Sequence, residues 1–549
     1  MEGNEHSRSR LILAVASGVL LGLSFPPFHL GWLAFFGLVP LLRLMDLFDS
    51  YGKIFRYGYL TFFILNLITL YWTGGFLSAK DWYIMVGGAL LLLVHPFFFC
   101  IPLVLFLPIR RKFSLTTALI SFPFLWTAFE YLHSATQISF PWLVLGNTQT
   151  YDLATVQITS LTGAYGLTFW IVLINVLIYI LSREIISGRR AIVSPLMIGG
   201  VVGVCILYLA VEWYGYRRLS DQQPDVIGRI VRVGLVQPNI DPFEKWQDNP
   251  DYSLSVLCGM TREFGKGTVD LMLWPETAVP CYLLHPSNQY YYSIVRHIVD
   301  SVQTPLLTGI PDIIYYHDSA RIPKSSKRAL TGEYYETFNS SLLVLPGSPA
   351  VQKYAKIRLV PFAERVPFSE ELSFLNAMKW NFGLGGWGIG GDTTVFKFYL
   401  RDGMEVRFSN LICYESIYPG FVAAFVRRGA EFLTVITNDS WWGNTSGAYQ
   451  HEQYAVLRAV ENHRWILQCA NGGISCAVDP YGRIVTSTSL FTQAILTQEV
   501  NLKDDETFYT VHGDWLAEIS LVISGFILMS ALGTQAYILL RRRQLNELH

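Results

Sequence analysis

Charged residues are scarce in this chain of 549 residues, where Asp, Glu, Lys and Arg together make up only 15%. An ordinary soluble protein carries roughly 25%. The formal net charge is −1, so no excess of positive charge is available to bind nucleic acid. The seven cysteines are too few for a disulfide scaffold, and no CxxC or Cys/His cluster has the spacing of a zinc site. We expect no metal, no cofactor and no nucleic-acid partner.

Long apolar segments are abundant instead, and 51% of the residues are hydrophobic. A membrane-spanning helix needs about 20 apolar residues, because backbone groups in lipid must find their hydrogen bonds within the helix. Eight segments have this character, the first two of them short: Leu11–Phe25, Gly31–Met45, Gly58–Leu77, Trp82–Leu107, Leu115–Leu132, Leu161–Leu181, Ala191–Val211 and Leu516–Leu540. The sequence therefore predicts a multi-pass α-helical membrane domain. Transmembrane helices 1–7 lie in residues 1–213, and helix 8 with a cytoplasmic tail lies in residues 513–549.

Residues 214–512, between the seventh and eighth segments, carry most of the charge. The segment QHEQYAVLRAVENHRWIL has apolar residues at helical spacing and predicts an amphipathic helix. Other stretches have the length and composition of strands: VRVGLVQPNI, DLMLWPETAVP, TPLLTGI, YETFNSSLLVLPG, VRFSNLICYES, EFLTVITNDS, and GISCAV with RIVTSTS. Strands mixed with helices predict an α/β domain of about 300 residues.

Lysine and arginine are distributed unevenly among the loops. They precede the first apolar segment and follow the second, fourth, sixth and eighth, whereas the alternate loops have few. The residues concerned are Arg8, Arg10, Arg43, Lys53, Arg56, Arg110, Arg111, Lys112, Arg183, Arg189, Arg190, Arg541, Arg542 and Arg543. Because cytoplasmic loops carry the positive charge, these loops are predicted to be cytoplasmic. An odd number of spans then places the α/β domain outside the cytoplasm. Arg217 and Arg218, which follow the seventh segment, are an exception, because they would lie on the outer side.

One cysteine stands out in LICYESIYPG, where Cys413 follows an apolar run and precedes Glu415. Most free cysteines are small buried core residues, and on this stretch alone that interpretation stays open. A thiol with a pKa of about 8.5 needs a base and a charge stabiliser to act as a nucleophile. Glu276 in LWPETAVP, and Lys356 and Glu364 in KIRLVPFAERVPF, offer such groups. Their apolar, proline-bounded surroundings make a stray charge costly, which favours a functional cluster over solvated surface charges.

These residues and their motifs resemble the Glu-Lys-Cys triad of the nitrilase superfamily, formed here by Glu276, Lys356 and Cys413. Within that superfamily the chain is most similar to the bacterial apolipoprotein N-acyltransferase family. The shared segments occur in the same order: PWLVLGNTQ, VQPNIDPFEKW, TFNSSL, TNDSWWGNTSGAYQH and CANGGIS. The chain departs from the family pattern at FAER, where a glycine is expected before Glu364. The resemblance covers nearly the whole chain.

The resemblance implies a nitrilase-like αββα sandwich for residues 214–512, lying on the periplasmic side of the bacterial inner membrane. It also implies a two-step acyl transfer, from a phospholipid in the bilayer to the N-terminal diacylglyceryl-cysteine of apolipoproteins, through a thioester on Cys413. Glu276 is expected to move the proton, and Lys356 with the backbone N–H of Tyr414 to stabilise the oxyanion.

Supporting roles are implied for five further residues: Glu364, Tyr414, Glu415, Trp246 and Asn339. Glu364 is expected to keep Lys356 charged and oriented. For Trp246 and Asn339, a purely structural role, as core packing or a capped turn, is as well supported as a role in the site. Glu415 is expected either to bond near the thiol or to pair with an arginine.

Three other positions carry weaker expectations. Trp441 and Trp442 suit either an apolar loop that touches acyl chains or core filling. His451 is more typical of the start of a helix than of a second catalytic base. His95, inside the fourth span, is more typical of packing than of a proton relay.

Two other classes of protein fit part of the pattern. A membrane-tethered amidase of the nitrilase type explains the Glu, Lys and Cys residues but not the need for eight spans. If the chain were a transporter with an outer binding domain, charged residues would be expected within discontinuous membrane helices. In the predicted spans, only Glu130 and His95 approach this pattern.

Overall fold

The computed structural model describes residues 2–75, 82–188, 194–220, 229–245, 250–318, 322–371 and 386–546. Apolar helices make up the N-terminal region, as the sequence predicts. Their bounds are α1 Glu2–Ser24, α2 Ala34–Gly37, α3 Val39–Leu47, α4 Tyr51–Leu70, α5 Trp82–Lys112, α6 Leu115–Ala135, α7 Leu153–Val156, α8 Thr159–Ile186 and α9 Pro195–Ser220.

Six helices of the described residues are long and apolar enough to cross a membrane, compared with eight predicted spans. They cover Ser7–Ser24, Tyr51–Gly74, Ile84–Lys112, Thr159–Ile186, Pro195–Ser220 and Trp515–Gly533. The second predicted span, Gly31–Met45, is a broken helix formed by Gly31–Leu33, α2 and α3. The fifth, Leu115–Leu132, lies within the single helix α6 but carries the buried Glu130. Crossing of the bilayer by these two segments stays a prediction.

Two β-sheets form the centre of the α/β domain. The strands are β1 Ile230–Gln237, β2 Leu271–Leu273, β3 Leu306–Tyr316, β4 Lys327–Arg328, β5 Tyr334–Val344, β6 Val351–Ala355, β7 Phe396–Tyr399, β8 Glu405–Ile412, β9 Phe432–Thr437, β10 Ile466–Ala470, β11 Cys476–Val478, β12 Ile484–Ser487 and β13 Ala494–Asn501. The first sheet has the order β13-β1-β2-β3-β5-β4 with β6 also on β5, and the second has the order β12-β11-β10-β9-β8-β7. In each sheet the central three strands are parallel: β1, β2 and β3 in one, and β8, β9 and β10 in the other. Their carboxyl ends therefore gather at one edge.

Helices cover the outer faces of both sheets. On the first sheet these are α11 Pro250–Glu263 and α12 Gln289–Val302, and on the second they are α13 Pro419–Arg427 and α14 Ser446–Asn462. The remaining helices are α10 Pro242–Lys245, α15 Phe508–His512 and α16 Trp515–Asn546, and α16 packs on α5, α6 and α8 of the apolar region. Side chains alternate across a strand, so Leu306 packs with α11 and α12 whereas Leu307 joins the core shared with the second sheet. The four-layer αββα sandwich is thereby confirmed.

The amphipathic helix predicted from QHEQYAVLRAVENHRWIL is confirmed over most of its length, but it ends earlier than predicted. Helix α14 stops at Asn462, because His463 adopts a left-handed conformation with φ +50°. Of the four residues RWIL after it, Ile466 and Leu467 belong to β10 Ile466–Ala470 and pair with both β9 and β11.

Helix α14 also joins the two halves of the molecule. One of its sides packs on the second sheet and the other on α8 and α4. The buried amide of Gln450 accepts hydrogen bonds from Trp72 Nε1 (3.0 Å) and Trp142 Nε1 (2.7 Å) and donates to the carbonyl of Pro26 (2.9 Å). These contacts fix the α/β domain against the ends of the apolar helices.

Candidate active site

Cys413 lies directly after β8, at the carboxyl edge of the second sheet, and opens a short 3₁₀ helix, Cys413–Ile417. Its backbone has φ +53°, a left-handed conformation that costs a non-glycine residue about 1–3 kcal/mol. Such strain persists only where the surroundings enforce it, and it is frequent at active sites. The conformation turns the chain sharply and leaves the Cys413 side chain only partly buried at the end of the strand.

Glu276 approaches the same edge from the first sheet, three residues after β2. Its Oε1 accepts hydrogen bonds from Asn339 Nδ2 (2.7 Å) and Lys356 Nζ (3.3 Å), and its Oε2 accepts one from the backbone N–H of Asn438 (3.1 Å). The carboxylate is therefore fixed at both oxygens and nearly buried.

Lys356 directly follows β6 and is almost completely buried. Its ammonium lies 2.9 Å from Glu364 Oε1 as well as 3.3 Å from Glu276 Oε1. Burial lowers the pKa of Lys356, but the negative charges of Glu364 and Glu276 outweigh it, and the net pKa is raised. The two carboxylates therefore favour the charged form of Lys356. Glu364 is itself held by the backbone N–H of Val360 at 2.8 Å.

The thiol of Cys413 is influenced by both groups. Burial raises its pKa well above the ordinary value, the carboxylate of Glu276 adds to the rise, and the ammonium of Lys356 opposes it. A protonated thiol is a weak nucleophile, so an attack by Cys413 needs a base at the moment of reaction. The charge of Glu276 acts on this thiol, and its role as that base stays a prediction.

Glu415 connects the segment of Cys413 to the segment of Lys356. Its Oε2 accepts from the N–H of Ile412 (2.8 Å). Its Oε1 accepts from the N–H groups of Ile357 (2.7 Å) and Arg358 (3.1 Å) and from the hydroxyl of Tyr354 (2.7 Å). Of the two predicted alternatives, these bonds fit a hydrogen-bond partner near the thiol rather than an arginine side-chain pair.

The remaining supporting residues have different positions. Asn339, in the middle of β5, bridges Glu276 and Glu364 (Nδ2 to Oε1, 2.7 and 3.3 Å), so it belongs to the polar cluster and is not a capped turn. The hydroxyl of Tyr414 donates to the carbonyl of Ser139, in the loop after α6, at 2.9 Å. Trp246 lies outside the described residues.

An aromatic cluster borders the site on the membrane side. The ring of Trp442 lies 4.6 Å from that of Trp72 and 5.6 Å from that of Trp142, and the ring of Phe140 stacks at 6.0 Å on Tyr414. Trp72, Phe140 and Trp142 come from the apolar helical region, so this cluster spans the junction of the two halves. Trp442 is half-buried within it, so both of its predicted roles remain predictions.

Two residues of the apolar region have packing partners. His95 Nδ1 lies 3.0 Å from Asn66 Oδ1, and its ring is surrounded by Phe99 and Phe140. Glu130 accepts hydrogen bonds from Trp126 and Thr168 side chains. In the described part of the chain, no group of three or more His, Cys, Asp or Glu side chains is arranged to hold a metal ion.

Sequence reasoning missed several residues that the fold brings to the site. Lys245, at the end of α10, donates to the carbonyl of Glu276 (3.2 Å) and to the hydroxyl of Thr277 (3.0 Å). Its position in VQPNIDPFEKW, one of the segments shared with the resembling family, was the available signal. Asn438 and Asp439, in TNDS, follow β9 at the same sheet edge as Cys413. His451, which the sequence suggested as a residue at the start of a helix, is the sixth residue of α14.

Known families match both halves of the chain. The model described as apolipoprotein N-acyltransferase N-terminal domain matches residues 17–177, and the carbon-nitrogen hydrolase model matches residues 232–508. The chain is 38% identical to the apolipoprotein N-acyltransferase of Chlorobaculum tepidum over 94% of this chain and 96% of that protein. It is 34% identical to that of Geobacter metallireducens over 93% of each. Among solved structures, yeast Nit3 of the nitrilase superfamily matches with a TM-score of 0.35 and 16% identity, covering 53% of this chain and 96% of that one.

Proposed function

Because this chain belongs to the apolipoprotein N-acyltransferase family and is an acyltransferase of the membrane, we propose that it completes lipoprotein maturation through a covalent acyl-enzyme. The acyl donor is a phospholipid of the bilayer. The acceptor is the α-amine of the N-terminal diacylglyceryl-cysteine of an apolipoprotein. Glu276, Lys356 and Cys413 carry the reaction.

In the first half-reaction, Glu276 takes the proton of the Cys413 thiol while the sulfur attacks the carbonyl carbon of a phospholipid acyl ester. The oxyanion that forms is stabilised by the ammonium of Lys356 and the backbone N–H of Tyr414, and one such donor is worth about 10²–10³ in rate. When the ester bond breaks, Glu276 gives its proton to the departing lysophospholipid oxygen. A thioester remains on Cys413.

In the second half-reaction, the α-amine of the diacylglyceryl-cysteine attacks the thioester carbonyl. Glu276 accepts a proton from the amine as the new C–N bond forms and returns one to the departing thiolate. The products are an amide-linked third acyl chain and a free Cys413 thiol. An amide is far less reactive than a thioester, so the transfer runs forward.

One observation carries the proposal: the residue after the nucleophile bonds directly to the apolar helical half. Tyr414 donates to the Ser139 carbonyl at 2.9 Å, so Cys413 lies at the junction of the two halves, which supports access of bilayer lipid to the thiol. The aromatic cluster of Trp72, Phe140, Trp142 and Trp442 offers an apolar surface for the acyl chain. Asn339 and Glu364 hold the two charged residues in place, and Glu415 holds their segments together.

The test is the intact mass of the protein after incubation with phospholipid alone. Wild type should gain one acyl chain, sensitive to hydroxylamine, and release lysophospholipid, as a ping-pong path requires. Cys413→Ala should neither gain the adduct nor acylate a diacylated lipopeptide. Cys258→Ala, which changes a buried cysteine on α11, is the matched control and should behave as wild type.

Two results would contradict the proposal. Normal lipopeptide acylation without any adduct would require direct transfer from the phospholipid. An adduct that only water can discharge, with no product on the lipopeptide, would favour a hydrolase of the amidase type.

A further inference from the structure

A chain of buried hydrogen bonds lies behind Cys413, and the mechanism above does not use it. Asp439 contacts His451 Nδ1 at 3.1 Å, His451 Nε2 lies 2.9 Å from Ser416 Oγ, and Ser416 Oγ donates to the carbonyl oxygen of Cys413 at 2.8 Å. Asp439 and His451 are each 1% exposed and Ser416 is 3% exposed. A buried polar chain of this kind costs free energy unless every member is bonded, so its completeness points to a function.

The Asp439 carboxylate also bonds to Thr437, whose side chain influences the Cys413 thiol. The hydroxyl of Thr437, the last residue of β9, donates to Asp439 Oδ1 at 2.6 Å, and the Thr437 side chain partly opposes the rise in the pKa of the Cys413 thiol that burial causes. Asp439 thus acts on the main chain of Cys413 through His451 and Ser416, and it also holds the hydroxyl of Thr437 at the end of β9.

Three separate elements contribute to the chain. Asp439 opens the short helix after β9, His451 lies on α14, and Ser416 lies in the turn that Cys413 begins. Residues so far apart in sequence meet only in the folded domain. The rings of Trp142 and Trp442 lie 5.9 Å from the ring of His451 and enclose it.

The geometry of the peptide bond gives the chain its consequence. The carbonyl of Cys413 and the N–H of Tyr414 belong to one planar trans peptide and point in opposite directions. Ser416 holds that carbonyl. It therefore also sets the direction of the Tyr414 N–H, the proposed oxyanion donor. Cys413 itself has a left-handed backbone conformation, which is unfavourable and persists only if neighbouring groups hold it.

We propose that Asp439, His451 and Ser416 are positioning residues that fix the Cys413–Tyr414 peptide so that the Tyr414 N–H points at the oxyanion. The order Asp, His, Ser matches that of serine hydrolases. Ser416 is not a nucleophile here, because it is buried and its hydroxyl is bonded to the Cys413 carbonyl. This inference rests on the proposed acyl-enzyme mechanism.

The experiment compares two reactions of Cys413 in Ser416→Ala. Thioester formation from phospholipid, followed by intact mass, needs the oxyanion donor, whereas alkylation by iodoacetamide forms no oxyanion. A misdirected donor should slow acylation by about 10- to 100-fold, with alkylation within about 3-fold of wild type. Ser416→Thr keeps the hydroxyl and should recover most of the acylation rate.

Ser446→Ala is the matched control, because Ser446 is a buried serine on α14 whose hydroxyl has no hydrogen-bond partner within the described residues. It should leave both rates unchanged. Asp439→Asn is the second variant and should also slow acylation; the melting temperature of each variant establishes that it is folded.

The outcomes separate the two claims. If wild type forms no acyl adduct, the proposed function fails and this inference fails with it. If wild type forms the adduct and Ser416→Ala acylates as fast as Ser446→Ala, only this inference is overturned. Equal slowing of acylation and alkylation in Ser416→Ala would also overturn it, because that is the effect of a disturbed thiol and not of a misdirected donor.

Discussion

A buried ammonium costs free energy unless it is paired, and Lys356 lies between two carboxylates that offset this cost. Its Nζ is 2.9 Å from Glu364 and 3.3 Å from Glu276, and the side chain is 1% exposed. Such a site fits a compact cation and leaves no space for a larger one. The charge is therefore held at a fixed point beside the thiol.

For this reason Lys356→Arg should lose nearly as much activity as Lys356→Ala. A planar guanidinium cannot occupy the position of an ammonium enclosed on all sides, so the rate of thioester formation should fall by at least about 10² in both variants. Lys353→Arg is the control: Lys353 lies on β6, the strand that Lys356 follows, and pairs with Asp312 at 2.6 Å, but it is 38% exposed. Near-normal acylation in Lys356→Arg would show that Lys356 is not an oxyanion donor.

Lys245 is the second buried lysine of the site, and its situation is different. Burial lowers its pKa to about 7, although the charge of Glu276 partly opposes the shift. Its Nζ has two acceptors, the carbonyl of Glu276 and the hydroxyl of Thr277, which match the two N–H bonds of a neutral amine.

The stability that depends on Lys245 should therefore vary with pH. Between about pH 7 and its unfolded pKa of about 10.5, the folded state binds fewer protons at this residue than the unfolded state, so stability rises with pH. The melting temperature of wild type relative to Lys245→Met should increase from pH 7 to pH 9.5. A difference between wild type and Lys245→Met that stays constant with pH would contradict the lowered pKa.

At the scale of elements, the site depends on how two strand ends are joined. Cys413 follows β8 in the second sheet and Lys356 follows β6 in the first, and among the described residues no strand pairing links those sheets. Glu415 supplies the link, since its two oxygens accept four hydrogen bonds from the two segments.

Glu415→Gln should accordingly uncouple the two segments. In either orientation the amide directs an NH₂ group at a backbone N–H, which leaves buried donors unsatisfied at about 1–3 kcal/mol each. We expect a lower melting temperature and slower thioester formation. Glu405→Gln, on the exposed part of β8 where Glu405 pairs with Lys397, is the matched control. If the two variants have equal stability and rate, Glu415 has no linking role.

The sequence allowed candidate site residues to be predicted because each of them lies in an apolar stretch bounded by proline. In such a stretch a charged or ionisable group is costly unless it has a partner. Glu276, Lys356 and Cys413 all satisfy that rule. The partners of Glu415 and the chain from Asp439 to Cys413 depend on pairings across elements, which local patterns do not contain. The end of α14 was misjudged because the apolar residues of RWIL continue the helical spacing, while the strand β10 is stabilised by neighbours on both sides.

At the scale of the whole molecule, Arg110 and Arg183 of the loops predicted to be cytoplasmic lie at one end of the apolar helices, and the α/β domain lies at the other. Arg110 bonds to the carbonyl of Met45, and Arg183 pairs with Asp46 at 2.8 Å, so positive charges collect around the loop before α4. Helix α4 then runs 20 residues, about 30 Å at 1.5 Å per residue. Just beyond its far end, Trp72 meets Gln450 of the α/β domain.

This separation equals the thickness of a bilayer core, about 30 Å. With the basic end in the cytoplasm, the catalytic domain should lie on the periplasmic side. Helix α16 begins beside the α/β domain and has 32 residues, enough to return the chain across the membrane.

We therefore expect an epitope tag inserted at Gly332, in the exposed turn between β4 and β5, to be accessible to antibody in spheroplasts. A tag at the C-terminus should become accessible only after lysis, and this change on lysis is the internal control. Both tagged proteins must still acylate lipopeptide, so that the topology measured is that of the active enzyme. If both tags are accessible before lysis, or neither is, the two ends of α16 share a compartment and α16 does not cross the membrane. A Gly332 tag that becomes accessible only after lysis would place the α/β domain in the cytoplasm and contradict the predicted topology, because phospholipid and apolipoprotein would then have to reach Cys413 from the cytoplasmic side.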